Sequence, residues 1–315
     1  VLLLSEDQTR DALPFSGLID ALDAMFKQGC EMPVRHHHDM EVPGEPDATL
    51  LLMPAWVPGS YSGVKIATVV PGNSDRGLPA VSASYLLSDG KTGQALALID
   101  GGELTARRTA AASALAARFL ARGNAEHLVI AGTGRLSLNL IGAHKAARPI
   151  SKVTIWGRSL EKAAAIARQA GDLYGVAAAA SDDLEAACRS ADIISAATLS
   201  TDPLIKGDWV QPGTHVDLVG AFKPEMRESD DAAIRKSTVF VDTLAGCSKE
   251  GGDIVQAIQS GALRPEDIAA DLYSLTRGKH PGRRSEEEIT LFKSVGAALE
   301  DLAAAILAYE SKKPS

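Results

Sequence analysis

HLVIAGTGRLSLNLIGAHKAA, residues 127–147, is the stretch on which the reading of the whole chain turns. Leu128, Val129 and Ile130 form an apolar run suited to a buried strand. Gly132 and Gly134 follow, and the segment beyond them is helical in character. Paired glycines are common by themselves, but these lie between a strand and a helix, and a second strand, KVTIWG (152–157), comes next. In that setting Gly132 makes a tight turn. Gly134 lets a pyrophosphate approach the N–H groups at a helix N-terminus, where unpaired donors and the helix dipole favour an anion. Thr133, Arg135 and Leu136 complete the turn and are expected to bind the dinucleotide with the glycines. The third fingerprint position is Ser137, so the motif is a variant.

Outward from this turn, strands and helices alternate. SLEKAAAIARQA (159–170) reads as a helix, GVAAAA (175–180) as a weak strand and DLEAACRS (183–190) as a short helix. ADIISAAT (191–198), THVDLVG (214–220) and STVFVD (237–242) read as buried strands. This rhythm predicts a parallel sheet covered on both faces, a Rossmann-type α/β domain. Upstream the texture differs. ATLLLMPAW (48–56), YSGVKIATVVP (61–71), AVSASYLLSD (80–89) and QALALIDG (94–101) are short apolar runs broken by Pro, Gly and Asp, with DGKTG (89–93) as a turn. They predict an antiparallel sheet, flanked by a helix whose apolar face carries Leu18, Leu22, Met25 and Phe26. GELTARRTAAASALAARFLA (102–121) is a long alanine-rich helix. The tail SEEEITLFKSVGAALEDLAAAILAYES (285–311) reads as a final helix, or a pair broken near Gly296, able to return to the first domain. The expected division is 1–113 together with 294–315, and 114–293.

Bulk properties narrow the function. A chain of 315 residues has room for two domains. Its net charge of −8 comes with no basic block, which argues against nucleic acid as a partner. Cys30, Cys188 and Cys247 suggest neither a disulfide framework nor zinc spacing, so a cytoplasmic location is expected. The opening VLLL is too short for a signal peptide, and no apolar run is long enough to span a membrane. RHHHD (35–39) has the composition of a metal cluster, but side chains on an extended segment alternate in direction, and no metal is expected there.

Two groups of residues carry candidate chemistry. The second strand ends in WGRS (156–159), with Arg158 and Ser159 where an NAD-specific protein usually shows an acidic residue for the ribose diol. Arg158 can meet a 2′-phosphate and Ser159 can donate a second hydrogen bond, which favours NADPH while leaving NADH open. The other group is isolated cations. Lys65 sits inside GVKIATV, Arg108 beside Thr109 opens an alanine helix, and Arg35 follows a Pro-Val pair before a strand. Guanidinium groups to clamp a carboxylate, with an ammonium near the reacting centre, suit a small carboxylic acid substrate.

VKIATVVPGNSDRGLPAVSASYLLSDGKTGQALALIDGGELTARRTAAASALAARFLA (64–121), with VIAGTGRLS, VDLVGAFKPEMRESD, VFVD and EEITLFKSVG, closely resembles the ornithine cyclodeaminase and mu-crystallin family over nearly the whole chain. The resemblance implies a homodimer in which a Rossmann domain is inserted into an α+β substrate and dimerisation domain. It also implies that Arg35, Lys65 and Arg108 hold the substrate carboxylate and polarise the reacting centre, with Thr109 close to the cofactor. Ornithine cyclodeaminases carry an aspartate in a VGGD element. Here that element reads VGAF and the position is Phe222. The variant looks more like the family members that reduce cyclic ketimines, taking Δ1-pyrroline-2-carboxylate or Δ1-piperideine-2-carboxylate to proline or pipecolate with NAD(P)H. In that chemistry Lys65 either binds the carboxylate or delivers the proton. Dehydration of cis-3-hydroxyproline, ornithine cyclodeamination and an alanine dehydrogenase reaction are the alternatives.

Overall fold

The computed structural model describes residues 1–313. The chain divides into two compact units, one of residues 1–108 with 298–315 and the other of residues 109–297. The junctions expected at 113/114 and 293/294 thus lie at 108/109 and 297/298. The first falls inside the helix Gly101–Leu120.

The first unit is built on a six-stranded sheet. Its strands are β1 (Leu2–Leu4), β2 (His36–Met40), β3 (Ala48–Trp56), β4 (Tyr61–Val69), β5 (Val81–Asp89) and β6 (Ala95–Asp100), in the order β1-β6-β5-β4-β3-β2. Only β1 runs parallel to its neighbour. The β5–β6 turn forms because Asp89 Oδ1 accepts from the N–H groups of Lys91 and Thr92 at 2.9 and 2.7 Å. Register sorts the two faces. Leu4, Ile99, Tyr85, Lys65 and Met53 pair across one buried row. The helix Ala298–Lys312 packs over β3–β6, and Phe15–Gln28 packs against that helix with Leu18, Leu22, Met25 and Phe26 buried. The next row, Leu3, Leu98, Leu86, Val64 and Pro54, points to the opposite face by strand alternation. Leu3 and Leu98 are exposed there.

The second unit is an eight-stranded parallel sheet. Its strands are β7 (His127–Ala131), β8 (Lys152–Trp156), β9 (Ala177–Ser181), β10 (Ile193–Ala196), β11 (His215–Leu218), β12 (Thr238–Val241), β13 (Ile268–Asp271) and β14 (Thr290–Lys293). They run in the order β13-β12-β14-β11-β10-β7-β8-β9. The chain leaves β7 in one direction and returns to its other side as β10, which places a topological switch point between those two strands. The mostly apolar sequences of β7 and β10 follow from burial on both faces, with His127 and Ser195 the polar exceptions.

One element departs from the sequence reading. The start of the tail 285–311, which reads as helix, instead contains β14, a strand of four buried residues wedged between β11 and β12. Four buried residues show neither helical nor alternating periodicity, so the pattern carried no signal. Gly296, at φ +81°, then turns the chain into Ala298–Lys312.

Candidate active site

The C-terminal ends of β7, β8 and β10 enclose a groove of about 370 Å³, lined by Gly132, Thr133, Gly134, Trp156, Arg158 and Thr198 among others. This is the crevice in which open α/β sheets bind ligands. Gly132 has φ +135°, and a Cβ there would come within 2.8 Å of the Ala197 carbonyl, so only glycine makes this turn. At Gly134 a Cβ would meet nothing within 4 Å. The fold itself therefore has no steric need of that glycine, whereas a phosphate approaching the backbone would. The residues present fit a dinucleotide. Ser137, in place of a third glycine, is buried and donates to the Gly132 carbonyl at 3.0 Å, tying the helix Leu136–Ala147 to the turn.

A second constellation lies in the first unit. Lys65 of β4 and Arg108 of the helix Gly101–Leu120 are each only 5% exposed. Both meet Asp301 of Ala298–Lys312. The Lys65 Nζ lies 2.8 Å from Asp301 Oδ2, and Arg108 Nε donates to Asp301 Oδ1 at 2.8 Å. Arg108 Nη1 also donates to Glu300 Oε2 at 2.6 Å. Glu300 and Asp301 are fully buried. Burial pushes the Lys65 ammonium down to about 8, against the pull of Asp301 and with the help of Arg108 and Arg35. Burial also opposes the Arg108 charge, but Asp301 and Glu300 outweigh it and hold the guanidinium above its ordinary range. For Asp301 the same balance runs the other way. Desolvation favours its neutral form, yet Arg108 and Lys65 keep it below the usual carboxylate range.

The residues singled out in the sequence thus fall into two groups. Gly132, Thr133, Gly134 and Arg158 line the groove. Arg135, Leu136, Ser159 and Thr109 do not. Arg135 precedes the helix Leu136–Ala147, the Ser159 hydroxyl caps Leu160–Tyr174 by accepting from Lys162 N–H at 3.3 Å, and Thr109 is half-buried in its helix. Arg35 is half-buried and within electrostatic reach of Lys65. His36 and His38, on exposed β2, stack edge to face with centroids 6.3 Å apart. The sequence reading missed Glu300 and Asp301. Their signal was an acidic pair in the otherwise apolar run AALEDLAAA, where a carboxylate needs a partner.

Fold and groove are those of a Rossmann-type dinucleotide-binding protein. The chain belongs to the ornithine cyclodeaminase/mu-crystallin family, whose sequence model matches residues 3–315. It is similar to the Δ1-pyrroline-2-carboxylate reductase of Paracoccus denitrificans, at 41% identity over 90% of this chain and 89% of that one. Its fold matches that of Thermococcus litoralis Δ1-pyrroline-2-carboxylate reductase in complex with NADH and L-proline, with a TM-score of 0.91, 33% identity and coverage of 99% and 97%. It also matches an archaeal alanine dehydrogenase dimer with bound NAD, with a TM-score of 0.89, 31% identity and coverage of 99% and 95%.

Removing one member of this buried array leaves its partners uncompensated. Asp301→Ala is expected to destabilise the protein by about 3–5 kcal/mol, read as a lowered midpoint in chemical denaturation. A midpoint equal to wild type would mean that Lys65 and Arg108 do not depend on this carboxylate.

Proposed function

We propose that the protein is an NAD(P)H-dependent cyclic ketimine reductase. It takes Δ1-pyrroline-2-carboxylate to L-proline, with Δ1-piperideine-2-carboxylate as a second substrate yielding L-pipecolate. The observation that carries this is the buried Lys65–Asp301–Arg108 array, and the named relatives and the proline-bound neighbour support it. Lys65 and Arg108 place an ammonium and a guanidinium together in one buried site, the pair of groups that suits a small carboxylic acid substrate.

Arg108 and Arg35 hold that carboxylate, and Asp301 fixes both Arg108 and Lys65. Arg108 cannot release a proton near neutrality, whereas Lys65, at about 8, can. Lys65 is therefore the donor to the ring nitrogen. When bound in the groove, the reduced nicotinamide supplies the hydride that the imine carbon accepts. The C=N bond becomes a single bond, the nitrogen keeps the proton from Nζ, and solvent restores the ammonium. Gly132, Thr133 and Gly134 hold the pyrophosphate. Arg158, exposed and without an ion pair among the described residues, suits the 2′-phosphate of NADPH. The apolar row Leu3, Leu98, Leu86, Val64 and Pro54 forms the face of a homodimer. Three free cysteines, two of them buried, suit the reducing cytoplasm in which we place the enzyme.

The deciding assay follows loss of reduced-nicotinamide absorbance with freshly prepared Δ1-pyrroline-2-carboxylate. A parallel sample holds cis-3-hydroxyproline without nicotinamide and is followed for pyrroline. Oxidation in the first and silence in the second is expected. Pyrroline formation in the second alone would make the protein a lyase. Because Lys65 must be protonated to act, kcat/KM should be full at pH 7 and fall as pH rises through about 8. Lys65→Met should lose about 10²- to 10⁴-fold in kcat and keep its affinity for NADH. A variant retaining the wild-type rate would remove Lys65 from the proton transfer.

Cofactor choice and assembly are tested separately. Arg158→Glu should lower the NADPH-to-NADH ratio of kcat/KM by about tenfold, and an unchanged ratio would leave Arg158 without a role in that choice. Leu98→Asp should convert a dimer to a monomer in sedimentation equilibrium. A dimeric variant would place the interface elsewhere.

A further inference from the structure

Beside the groove lies a buried charge cluster that the reaction above does not use. Glu228, Lys293 and Asp253 are all fully buried. Glu228 Oε1 accepts from the Thr198 N–H at 2.6 Å and from the Thr198 hydroxyl at 2.9 Å. Its carbonyl accepts from the N–H groups of Leu204 and Ile205 at 2.9 and 2.8 Å, and the N–H of Arg227 donates to Ser200 O at 2.8 Å. Residues 227 and 228 therefore grip both ends of the loop 198–204, which supplies Thr198, Leu199, Ser200 and Leu204 to the groove wall. Thr198 also faces the phosphate turn, since a Cβ on Gly132 would lie 3.7 Å from its methyl group.

The other members fix Glu228 from behind. Asp253 Oδ1 accepts from the N–H groups of Glu228 and Ser229 at 3.0 and 2.8 Å. Lys293 Nζ donates to the carbonyls of Leu218, Gly220 and Ser294 at 3.0, 2.6 and 2.9 Å, and lies 4.0 Å from Asp253 Oδ2. The Lys293 ammonium thus stands at ion-pair distance from Asp253 and acts on Glu228 through its charge, in a site closed to water. The adjacent Arg227 is turned away, pairing with Asp231.

We infer that Glu228 is a positioning residue for the dinucleotide, holding the loop 198–204 through its carboxylate, and that the Glu228–Lys293–Asp253 cluster makes this hold dependent on protonation. The inference rests on the dinucleotide reading of the groove. Burial raises the Glu228 carboxyl to about 7, with Lys293 opposing and Asp253 adding to the rise. Above that pH the carboxylate receives two charge-assisted hydrogen bonds from Thr198. As pH falls through it, these become neutral and weaker, and the groove wall loosens.

The test is NADH affinity of the full-length protein, measured by fluorescence titration at pH 6 and pH 8, a range in which NADH itself carries no titrating group. The wild-type Kd should rise about fivefold from pH 8 to pH 6, the difference between charged and neutral hydrogen bonds. Glu228→Gln, which keeps the acceptor but not the charge, should show one Kd at both pH values, near that of wild type at pH 6. Glu228→Ala, which removes the acceptor, should bind NADH more weakly than either. A Glu228→Gln variant that responds to pH as wild type does would overturn the inference. So would a wild type with equal Kd at both pH values. A wild type that binds no NADH at either pH would overturn the groove reading, and this inference with it.

Discussion

Two cations buried against one sheet require anions, and the chain supplies them from its far end. Lys65 and Arg108 sit under a helix whose first turns are buried and which carries Glu300 and Asp301 there. An uncompensated buried charge costs several kcal/mol, so the first unit is complete only when Ala298–Lys312 has returned to it. Everything between residues 109 and 297 then becomes an insertion. The same carboxylate that closes the unit contacts both cations, so the closure of the unit and the orientation of Lys65 and Arg108 depend on one residue.

The second unit follows a different constraint. A parallel sheet has its loops and helix N-termini at opposite ends of its strands from its helix C-termini, and reversing the strand order opens a crevice between two of those loops. Here the reversal lies between β7 and β10, and the crevice meets a turn that glycine alone can make at residue 132. The wall opposite that turn has no regular structure of its own. It is held by buried charge, with Glu228 gripping the loop from 198 and Lys293 gripping the carbonyls that end β11. A loop held by polar groups in a dry interior is well ordered while its groups are satisfied and responsive to whatever changes their charge.

The sequence disclosed the parts whose signal is local. Strand, glycine turn and helix at 127–147 announced the groove. Alternation and turn residues announced the antiparallel sheet, and the isolated Lys65 and Arg108 announced a cation cluster. What it concealed was the partner of each isolated group, because pairing is a property of the fold. Asp301 is 236 residues from Lys65 in the chain, and their 2.8 Å contact leaves no pattern in either neighbourhood. Likewise β14 is too short for periodicity, and Glu228 in PEMRESD looks like one charge in a solvated loop. Where a charge lay within an apolar run, as in AALEDLAAA, the clue was present without its meaning.

The turn after β11 bears on which chemistry the family's framework performs here. Ala221 has φ +41°, and it is the one non-glycine residue with positive φ among the described residues. It is fully buried, and its carbonyl accepts from Gly252 N–H at 2.9 Å. A left-handed alanine costs about 1 kcal/mol or more, which the glycine of a VGGD element would avoid. The strain is not used to present an acid, since the next side chain is Phe222, 43% exposed and without a titratable group. Expelling an amine requires a group that takes a proton from the attacking nitrogen and returns one to the departing nitrogen. Reducing an imine that already exists requires only one proton, delivered to nitrogen. With an aromatic ring in place of the aspartate, the turn after β11 lacks that carboxylate for the first task, and the second does not call for it.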